Sequence, residues 1–577
     1  MTTVATMIAT ALADQGVRTI WGVVGDALNP VTDAIREEER IEWIGVRHEE
    51  VAAFAAGAQS QLTGTIGVCM GTVGPGSIHL LNGLYDAKKS HAPVLAICGQ
   101  VPLAEIGSES FQEVDNDLLF SDVALYARTI SSPEQAAGML QQALQVAIEG
   151  KGVAVLTLPG DVGGQDLPKD AASPRVVDAH PPTQPDQASL DRAVQLIDAA
   201  GAVTLLVGIG AREARAEVLD LAGHLSAPIV LTLKAKPVLE RDNAFQVGQS
   251  GLIGNPAAVA ALDDCDLLLM VGTDFPYTEW YPTGKTVVQI DARGGHIGRR
   301  TAVDLGLVGH AAPTLRALRE RLSVKADDTH LRAAVEKYAT WHDRQLALTA
   351  DPDVDKGVLG KLRERFDNTE DRIRPELLAT TVDRYAAADA VFTVDTGMST
   401  VWLSRFVTMS GRRGLLGSFN LGSMANAMPQ ALGAQALDRS RQVIAFCGDG
   451  GLSMLLGDLI TAVSHRLPVK IVVFDNGRLG MVKLEQEQVG LPEFGTVLVN
   501  PDFAAVARAM GLHGIRVEDP DGVDAAVREA LAHDGPVLLD VVTNAEEVSV
   551  PGKVKVGQAW GFAIAKMRET VLSQGDS

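Results

Sequence analysis

Short apolar runs alternate with helical patterns along most of the chain, and this alternation restricts the possible folds more than any other feature. Stretches such as EEVAAFAAGAQSQL and SIHLLNGLYDAKK have helical character. The apolar runs that they separate within the first 170 residues are RTIWGVVG, IEWIGVR, TIGVCM, PVLAICG and GVAVLTLPG. Strands without a polar face, joined by helices, form parallel sheets covered on both sides. The pattern predicts a doubly wound α/β domain over residues 1–170.

The same alternation recurs twice, which fits a chain of 577 residues, too long for one core. The second unit, 188–345, contains AVTLLVG, PIVLTL, DLLLMVG and TVVQID. The third, 377–545, contains AVFTVDTG, QVIAFCGDGG, PVKIVVFDNG, HGIRVED and GPVLLDVV, and repeats the rhythm of the first. We predict three doubly wound α/β domains. The segments outside them are a proline-bearing linker, a charged connector and a C-terminal tail, at 171–187, 346–376 and 546–577.

Charge and terminal sequence exclude several classes of protein. Acidic residues outnumber basic ones by 72 to 50, a formal net charge of −22, which argues against nucleic acid as a partner. The first residues lack the pattern of a secretory signal, and no run has the roughly 18 apolar residues of a membrane span. The cysteines match neither a zinc pattern nor a disulfide framework; they are Cys69, Cys98, Cys265 and Cys447. A cytoplasmic setting is expected.

An acid stands at the centre of a glycine turn, CGDGG, between an apolar run and a helical pattern. Such turns usually cradle anions on helix-start N–H groups, and Asp449 would repel a phosphate unless a divalent cation lay between them. Asn476 follows the next predicted strand, so parallel pairing would bring it to the same sheet edge. Taken singly, Asp449 could equally be a helix cap and Asn476 a turn former.

Taken together, the pair resembles the thiamine diphosphate signature, in which Gly-Asp-Gly is followed at a distance by Asn-Asn. The resemblance implies Mg²⁺ bound by Asp449, Asn476 and the carbonyl of Arg478. Asp475 stands where the signature has its first asparagine. The change leaves the ligand position itself intact.

A second stretch, RHEEVAAFAAGAQ, resembles the His-Glu-x-x-Ala-x-x-x-Ala pattern of the decarboxylase and oxidase branch of that family. The resemblance implies that Glu49 hydrogen-bonds the pyrimidine ring of the cofactor. We expect burial in an apolar pocket to raise the pKa of Glu49, so that it can share a proton with the ring. Glu49 is therefore the first catalytic candidate, and Glu50 is expected to be a solvated or salt-bridged helix residue.

Two further loops complete the resemblance. SFNLGSMANAMPQALGAQ contains the Gly-x-Met that bends the cofactor, and DTGMS matches a loop that holds the diphosphate. Apolar residues expected to keep water from the reacting centre are Phe111, Met481 and Val482, the first two counted as catalytic. The cofactor-binding residues implied besides Glu49 are Gly397, Met398, Gly422, Ser423, Met424, Asp449, Gly450, Gly451, Asn476, Leu479, Gly480, Met481 and Val482.

Stretches spread along the chain, among them HLLNGLYDA, IGSESFQE, VGQSGLIG, GTDFPY and LGMVKLE, most resemble the branch of the family formed by flavin-dependent pyruvate oxidases that pass electrons to quinone. VGIGAREAR lacks the third glycine of a dinucleotide fingerprint, which disfavours NAD. The resemblance implies FAD in the central domain, although ordinary strand–helix turns remain an alternative. His310 stands where relatives often have an aspartate. The implied FAD contacts are Ser250, Gly251, Leu252, Ile253, Thr273, Asp274, Phe275 and, on the ribose side, Asp291.

The implied reaction is oxidative decarboxylation of pyruvate, or a similar 2-keto acid, to acetate and CO₂, with electrons passing through FAD to quinone or another acceptor. Leu421 and Gln100 are nearer to acetolactate synthases, which join two keto acids and use FAD structurally. Against that alternative, the synthase pattern expects a tryptophan a few residues after Gly-Met-Val, whereas Lys483 and Leu484 follow here. A non-catalytic cofactor-binding paralog is a third reading, which the intact Glu49 and Asp449 oppose.

The resemblance also implies an assembly. In the family the cofactor lies between subunits, with the glutamate from one chain and the metal site from the other. A homodimer is thus the expected minimal unit, and a homotetramer is common. Residues 560–573 could form a short helix, for which docking on a domain of the protein is the favoured interpretation, so at most peripheral contact at the inner face of the membrane is expected.

Overall fold

The computed structural model describes residues 2–168, 173–177, 182–350 and 372–545, and each predicted domain contains a six-stranded sheet. Within those ranges the strand pairs of all three sheets are parallel. The prediction of three doubly wound α/β domains is confirmed. The predicted tail, 546–577, and with it the helix expected at 560–573, lies outside the described residues, as does most of the charged connector.

The first domain has the strand order β2-β1-β3-β4-β6-β5. Its strands are β1 Thr19–Gly22, β2 Glu42–Gly45, β3 Gly67–Gly71, β4 Val94–Gln100, β5 Ala124–Thr129 and β6 Val153–Pro159. Its α-helices are α1 Val4–Asp14, α2 Asn29–Glu37, α3 Glu49–Thr63, α4 Pro75–His79, α5 Leu81–Ser90, α6 Asn116–Leu119 and α7 Pro133–Gly150.

The central domain has the order β12-β11-β10-β7-β8-β9, the doubly wound order whose reversal between β7 and β10 opens a crevice for ligands. Its strands are β7 Val203–Val207, β8 Ile229–Leu231, β9 Gln246–Gln249, β10 Leu267–Val271, β11 Thr286–Asp291 and β12 Leu305–Val308. Its α-helices are α8 Gln187–Ala199, α9 Arg215–Leu225, α10 Lys236–Leu239, α11 Pro256–Asp263, α12 Ala311–Arg319 and α13 Thr329–Ala350.

The third domain has the order β14-β13-β15-β16-β18-β17, the same topology as the first. Its strands are β13 Val391–Val394, β14 Gly414–Gly417, β15 Val443–Gly448, β16 Lys470–Asp475, β17 His513–Val517 and β18 Val537–Val542. Its α-helices are α14 Pro375–Tyr385, α15 Met398–Phe406, α16 Ala427–Leu437, α17 Asp449–Met454, α18 Leu459–Ser464, α19 Gly480–Gln488, α20 Phe503–Met510 and α21 Val523–Ala532.

The first and third domains share one hydrophobic core, built where α3 lies against α16. Small residues let the two helices approach closely: a side chain added at Gly433 would place its Cβ 2.4 Å from the carbonyl oxygen of Ala55. At the same interface Gln59 Nε2 donates to the carbonyl of Gly433 (3.1 Å). The alanine-rich helix after Glu49 is therefore an interdomain helix, buried along most of its length.

None of the helices in the described ranges combines the length and the hydrophobicity that a bilayer crossing requires. All four cysteines are buried and free of disulfides.

Candidate active site

The glycine turn and the asparagine loop lie side by side at one edge of the third sheet. Strand β15 ends at Gly448, directly opposite Phe474 of β16 in parallel register. Asp449 begins α17, and Asn476 follows the last residue of β16. The N–H of Gly477 donates to Asp449 Oδ2 at 2.7 Å and ties the two loops together. The predicted juxtaposition of Asp449 and Asn476 is thus present.

Asp449 is buried and carries three hydrogen bonds. Its Oδ1 accepts from the N–H of Gly450 (2.8 Å), and its Oδ2 accepts from Gly477 and from Asn500 Nδ2 (2.7 Å). A carboxylate offers about four lone-pair directions, so these donors leave room for one ligand on Oδ1. Burial raises the pKa of Asp449 to about 6. A divalent cation would favour the ionised form and offset that effect.

A cavity opens in front of this carboxylate, and most of the predicted cofactor residues of the third domain line it. Trp402 and Asn544, which the sequence did not single out, line it as well. Gly422 and Ser423 are not among the lining residues but lie directly before Met424 in the same loop. The predicted residues that line the cavity are Gly397, Met398, Met424, Asp449, Gly450, Gly451, Asn476, Arg478, Leu479, Gly480, Met481 and Val482.

A second buried acid, Asp395, packs against the glycine turn and hydrogen-bonds its backbone. It accepts hydrogen bonds from the N–H groups of Ala427 (2.9 Å) and Gly448 (3.3 Å), and burial raises its pKa to about 7. A Cβ at Gly451 would lie only 2.3 Å from Asp395 Oδ2. The turn therefore requires glycine at 451. The sequence offered a signal for Asp395, since it begins the DTGMS loop.

We expect Gly451→Ala to lower the midpoint of thermal unfolding by about 3–10 °C, because the new methyl group overlaps a buried carboxylate that cannot move freely. Differential scanning fluorimetry without cofactors measures the effect. Gly457→Ala is the matched control, because a Cβ there has no neighbour within 4 Å. Equal melting midpoints for the two variants would contradict the predicted overlap.

The loop before α16 holds Met424 against the glycine turn. Ala425 has φ 63°, a left-handed conformation that is strained for a residue with a side chain, and Gly422 has φ 81°. The Cε of Met424 lies 3.3 Å from the position of a Cβ at Gly450, and Leu479 Cδ2 lies 3.0 Å from it. The strained backbone at Ala425 thus directly follows the methionine that lies against the glycine turn.

The chain is similar in sequence to known proteins over most of its length. Three family models match it in order: "Thiamine pyrophosphate enzyme, N-terminal TPP binding domain" at residues 2–119, the central domain at 190–318, and the C-terminal TPP binding domain at 395–541. A relative from Bacillus subtilis, described as a thiamine pyrophosphate-containing protein, is 38% identical over 96% of this chain and 94% of its own. The chain belongs to the thiamine pyrophosphate enzyme family.

Members of the family with named activities are also similar to this chain. A pyruvate oxidase of Lactiplantibacillus plantarum is 31% identical over 95% of this chain and 90% of its own. The large subunit of an acetolactate synthase from Parasynechococcus marenigrum is 31% identical over 92% of this chain and 86% of its own. Identity at this level does not separate the two reactions.

Glu49, the other predicted half of the thiamine pyrophosphate site, opens helix α3 in the first domain. Its side chain is 9% exposed, and its Oε2 lies 2.9 Å from His79 Nδ1. The His79 ring stacks on that of His48, with the ring centroids 4.4 Å apart. Glu49 does not line the cavity of its own chain. Sequence reasoning missed His79, although the stretch SIHLLNG that carries it was singled out as helical.

The start of α3 is fixed by the third domain. Asp458 accepts from the N–H groups of Arg47 (2.8 Å) and His48 (3.0 Å). Glu50, the residue after Glu49, was expected to be solvated or salt-bridged. It is partly exposed, and its Oε1 accepts a hydrogen bond from Asn82 Nδ2 at 2.7 Å.

Asn82 extends this contact to the loop that carries Met424. Its Nδ2 also donates to Ser423 Oγ (2.9 Å), and that hydroxyl donates to the carbonyl of Met424 (2.9 Å). The residue after the predicted catalytic acid is therefore linked through side chains to the methionine loop of the third domain.

The three apolar residues predicted to exclude water differ in position. Met481 and Val482 line the cavity, although Val482 is 43% exposed. Phe111 lies in the first domain, is 88% exposed, and is not among the lining residues. Within one chain the structure brings Met481 and Val482, but not Phe111, to the cavity.

The residues predicted to bind FAD lie at the carboxyl ends of β9, β10 and β11, the edge where such sheets bind ligands. Ser250 Oγ is buried and has no hydrogen-bond partner among the described residues. Gly251 has φ 95°, and a Cβ there would lie 3.1 Å from Phe275 Cζ. Leu252 and Ile253 follow, and Thr273 Oγ1 accepts from the N–H of Phe275 (3.2 Å). An orphaned hydroxyl beside a glycine turn fits a bound ligand.

Asp274 joins all three domains. Its Oδ2 accepts from His91 Nε2 of the first domain (3.3 Å) and Asn420 Nδ2 of the third (3.1 Å), and its Oδ1 accepts from Arg300 (3.3 Å). Burial acts to raise the pKa of Asp274, but the His91 hydrogen bond and the Arg300 charge hold it well below its usual range. Both carboxylate oxygens of Asp274 are thus already hydrogen-bonded within the protein.

The remaining candidates have local partners. Asp291 Oδ1 accepts from the N–H of Arg293 (2.8 Å). His310, the departure near the predicted adenine end, accepts from the N–H of Thr183 at Nδ1 (3.0 Å). Gln100 is buried, donating to the carbonyl of Val114 (2.6 Å) and accepting from the N–H of Val101 (2.9 Å). Gln100 therefore stabilises the loop after β4.

Proposed function

We propose that this thiamine pyrophosphate enzyme decarboxylates pyruvate, or a similar 2-keto acid, oxidatively to acetate and CO₂, passing the electrons through FAD to a quinone or another acceptor. The observation that carries the choice is on helix α19, in the residues that follow Met481 and Val482. The synthase pattern expects a tryptophan a few residues after Gly-Met-Val, but Lys483 and Leu484 follow here, both buried, and none of residues 483–488 (KLEQEQ) lines the cavity. Helix α19 therefore brings no aromatic side chain to the cavity to hold a second keto acid.

The diphosphate end of the site is proposed to form on the third domain. Mg²⁺ would be held by Asp449, Asn476 and the carbonyl of Arg478, and the open position on Asp449 Oδ1 fits one such ligand. The N–H groups at the start of α17 and α15 would face the diphosphate. Thiamine diphosphate, when bound, supplies the electron sink for decarboxylation of a 2-keto acid.

Glu49 is proposed to hold and exchange the proton of the pyrimidine ring. Because Glu49 does not line the cavity of its own chain, the acid of each site would come from a second copy, and a homodimer would be the smallest active unit. Met424, which lies against the glycine turn, would contact the cofactor and hold it in its bent shape. Met481 and Val482, with Phe111 contributed across the interface, would keep water from the reacting carbon.

FAD is proposed to lie along the carboxyl edge of the central sheet, in contact with the Ser250–Ile253 turn, the Thr273–Phe275 turn and Asp291. The unpartnered Ser250 hydroxyl and the crevice between β7 and β10 support this placement. When bound, FAD supplies a two-electron acceptor.

The proposed reaction predicts a spectroscopic result. Purified holoenzyme mixed with pyruvate without oxygen should lose the visible absorbance of oxidised flavin. Acetate should appear in proportion, and an added quinone analogue should restore the absorbance. Absorbance spectra measure the loss and return of the flavin absorbance, and chromatography measures the acetate. Protein without pyruvate is the control.

Acetolactate formation is the second candidate, favoured by an acetolactate synthase relative of the same 31% identity as the pyruvate oxidase. Acetolactate with flavin left oxidised would overturn the oxidase proposal and support this one. No turnover of pyruvate with the cofactors bound would overturn both, and would support a non-catalytic cofactor-binding paralog.

A further inference from the structure

Asn500 occupies a position that the reaction scheme does not use. It lies in the loop before α20, and its Nδ2 donates two hydrogen bonds of 2.7 Å, one to Asp449 Oδ2 and one to Asp475 Oδ1. Both partners are carboxylates that can only accept when ionised, so the amide nitrogen must face them. Bonds of this kind, from an amide to a charged oxygen, are stronger than neutral ones.

The loop that carries Asn500 is anchored to the asparagine loop. Arg478 and Val497 form an antiparallel bridge, and Leu498 N–H donates to the carbonyl of Gly477 at 2.9 Å. Leu479 N–H donates to the carbonyl of Thr496 at 2.8 Å. Asn500 is therefore held by backbone hydrogen bonds beside the proposed metal site, and its contacts do not depend on a freely moving surface side chain.

The strand register explains why the two carboxylates that Asn500 bridges lie close together. Asp449 and Asp475 stand at the carboxyl ends of the adjacent strands β15 and β16, where two negative charges would repel each other. The two hydrogens of one amide group satisfy one oxygen of each. The other oxygen of Asp475 faces Arg516 Nη1 (3.6 Å), which also pairs with Asp540 (2.5 Å). The charge of Asp475 is thus directed away from the cavity.

We infer that Asn500 is a positioning residue for the metal ligand Asp449, which it holds apart from Asp475 so that Asp449 Oδ1 faces the cation; this rests on the proposed Mg²⁺ site. The need for the bridge comes from this chain's own acid at 475. With an asparagine there, as in the thiamine diphosphate signature, the repulsion vanishes and the orientation of Asp449 depends less on Asn500.

The test is a double-mutant cycle in metal affinity. Mn²⁺ binding to the full chain is followed by electron paramagnetic resonance at saturating thiamine diphosphate. Asn500→Ala should weaken Mn²⁺ binding by about 10-fold or more, as loss of residues that orient metal ligands typically does. In the Asp475→Asn background the same substitution should weaken it by less than about threefold. Equal losses in both backgrounds, or no loss in either, would overturn the inference.

Two controls separate the possible failures. Asn243→Ala removes the same side chain where its hydrogen bonds go only to the central-domain backbone, and should leave Mn²⁺ binding unchanged. Asp449→Asn should abolish binding. If Asp449→Asn binds Mn²⁺ normally, the proposed metal site itself is wrong. If Asp449→Asn fails to bind Mn²⁺ but Asn500→Ala binds it normally, only the inference about Asn500 fails. Asn500→Ser, which keeps a donor, replaces the alanine variant if circular dichroism shows that variant unfolded.

Discussion

Glu49→Gln is expected to reduce the turnover of pyruvate by about 10²–10⁴-fold, the range typical of losing a general acid–base group. Glutamine has nearly the same shape and can still accept a hydrogen bond, but it cannot exchange a proton with the pyrimidine ring. The side chain is buried at the start of a helix whose backbone is fixed by Asp458. The substitution should therefore remove the ability of residue 49 to exchange a proton without displacing its side chain.

Binding and turnover must be measured separately in this variant. Equilibrium dialysis should find thiamine diphosphate and Mg²⁺ bound as in the unaltered protein, while acetate formation collapses. Glu50→Gln is the matched control, because it loses the same charge and keeps an acceptor for Asn82; its turnover should stay within about threefold. Near-normal turnover in Glu49→Gln would remove Glu49 from the mechanism.

Every interior strand of the three sheets was predicted, because each is a continuous apolar run. VIAFCG of β15 and KIVVFD of β16 are buried at nearly every position, so their pairing and the meeting of Asp449 with Asn476 followed from topology alone. The prediction missed β5, β9, β12 and β14. These are four of the six edge strands, and ALYART and GLLG are short or half-exposed; the other two edge strands, β2 and β17, were predicted. An edge strand is covered on one side only and has fewer buried positions, so its apolar pattern is weaker than that of an interior strand.

The candidate site divides in the same way. The glycine turn, the methionine loop and Glu49 could be identified because each needs a particular residue type at a fixed spacing. Asn500 could not, since asparagine before Pro501 and a helix is equally typical of a turn. His79 and Asp395 act through contacts made across the fold: His79 meets Glu49 from another helix, and Asp395 touches Gly451 from a neighbouring strand end. Such contacts are set by the backbone's path, which periodicity does not specify.

The second large effect is expected from combining two inactive chains. Glu49→Gln and Asp449→Asn should each be nearly inactive alone, one lacking the proposed proton donor and the other a proposed metal ligand. If each site takes Glu49 from one subunit and Asp449 from the other, a dimer of the two variants contains one intact site and one doubly altered site. Co-expression with two different affinity tags and purification through both should yield about half the activity of the unaltered protein.

The physical basis of this expectation is the separation of the two acids within one chain. Glu49 lies at the start of α3, bonded to His79, while the cavity in front of Asp449 is lined by the third domain without it. A site completed inside one chain could not be restored by mixing, because every chain in the mixture carries a defect. Activity at the level of the separate variants, in dimers shown by mass spectrometry to contain both chains, would place Glu49 and Asp449 in the same subunit's site and contradict the two-subunit arrangement.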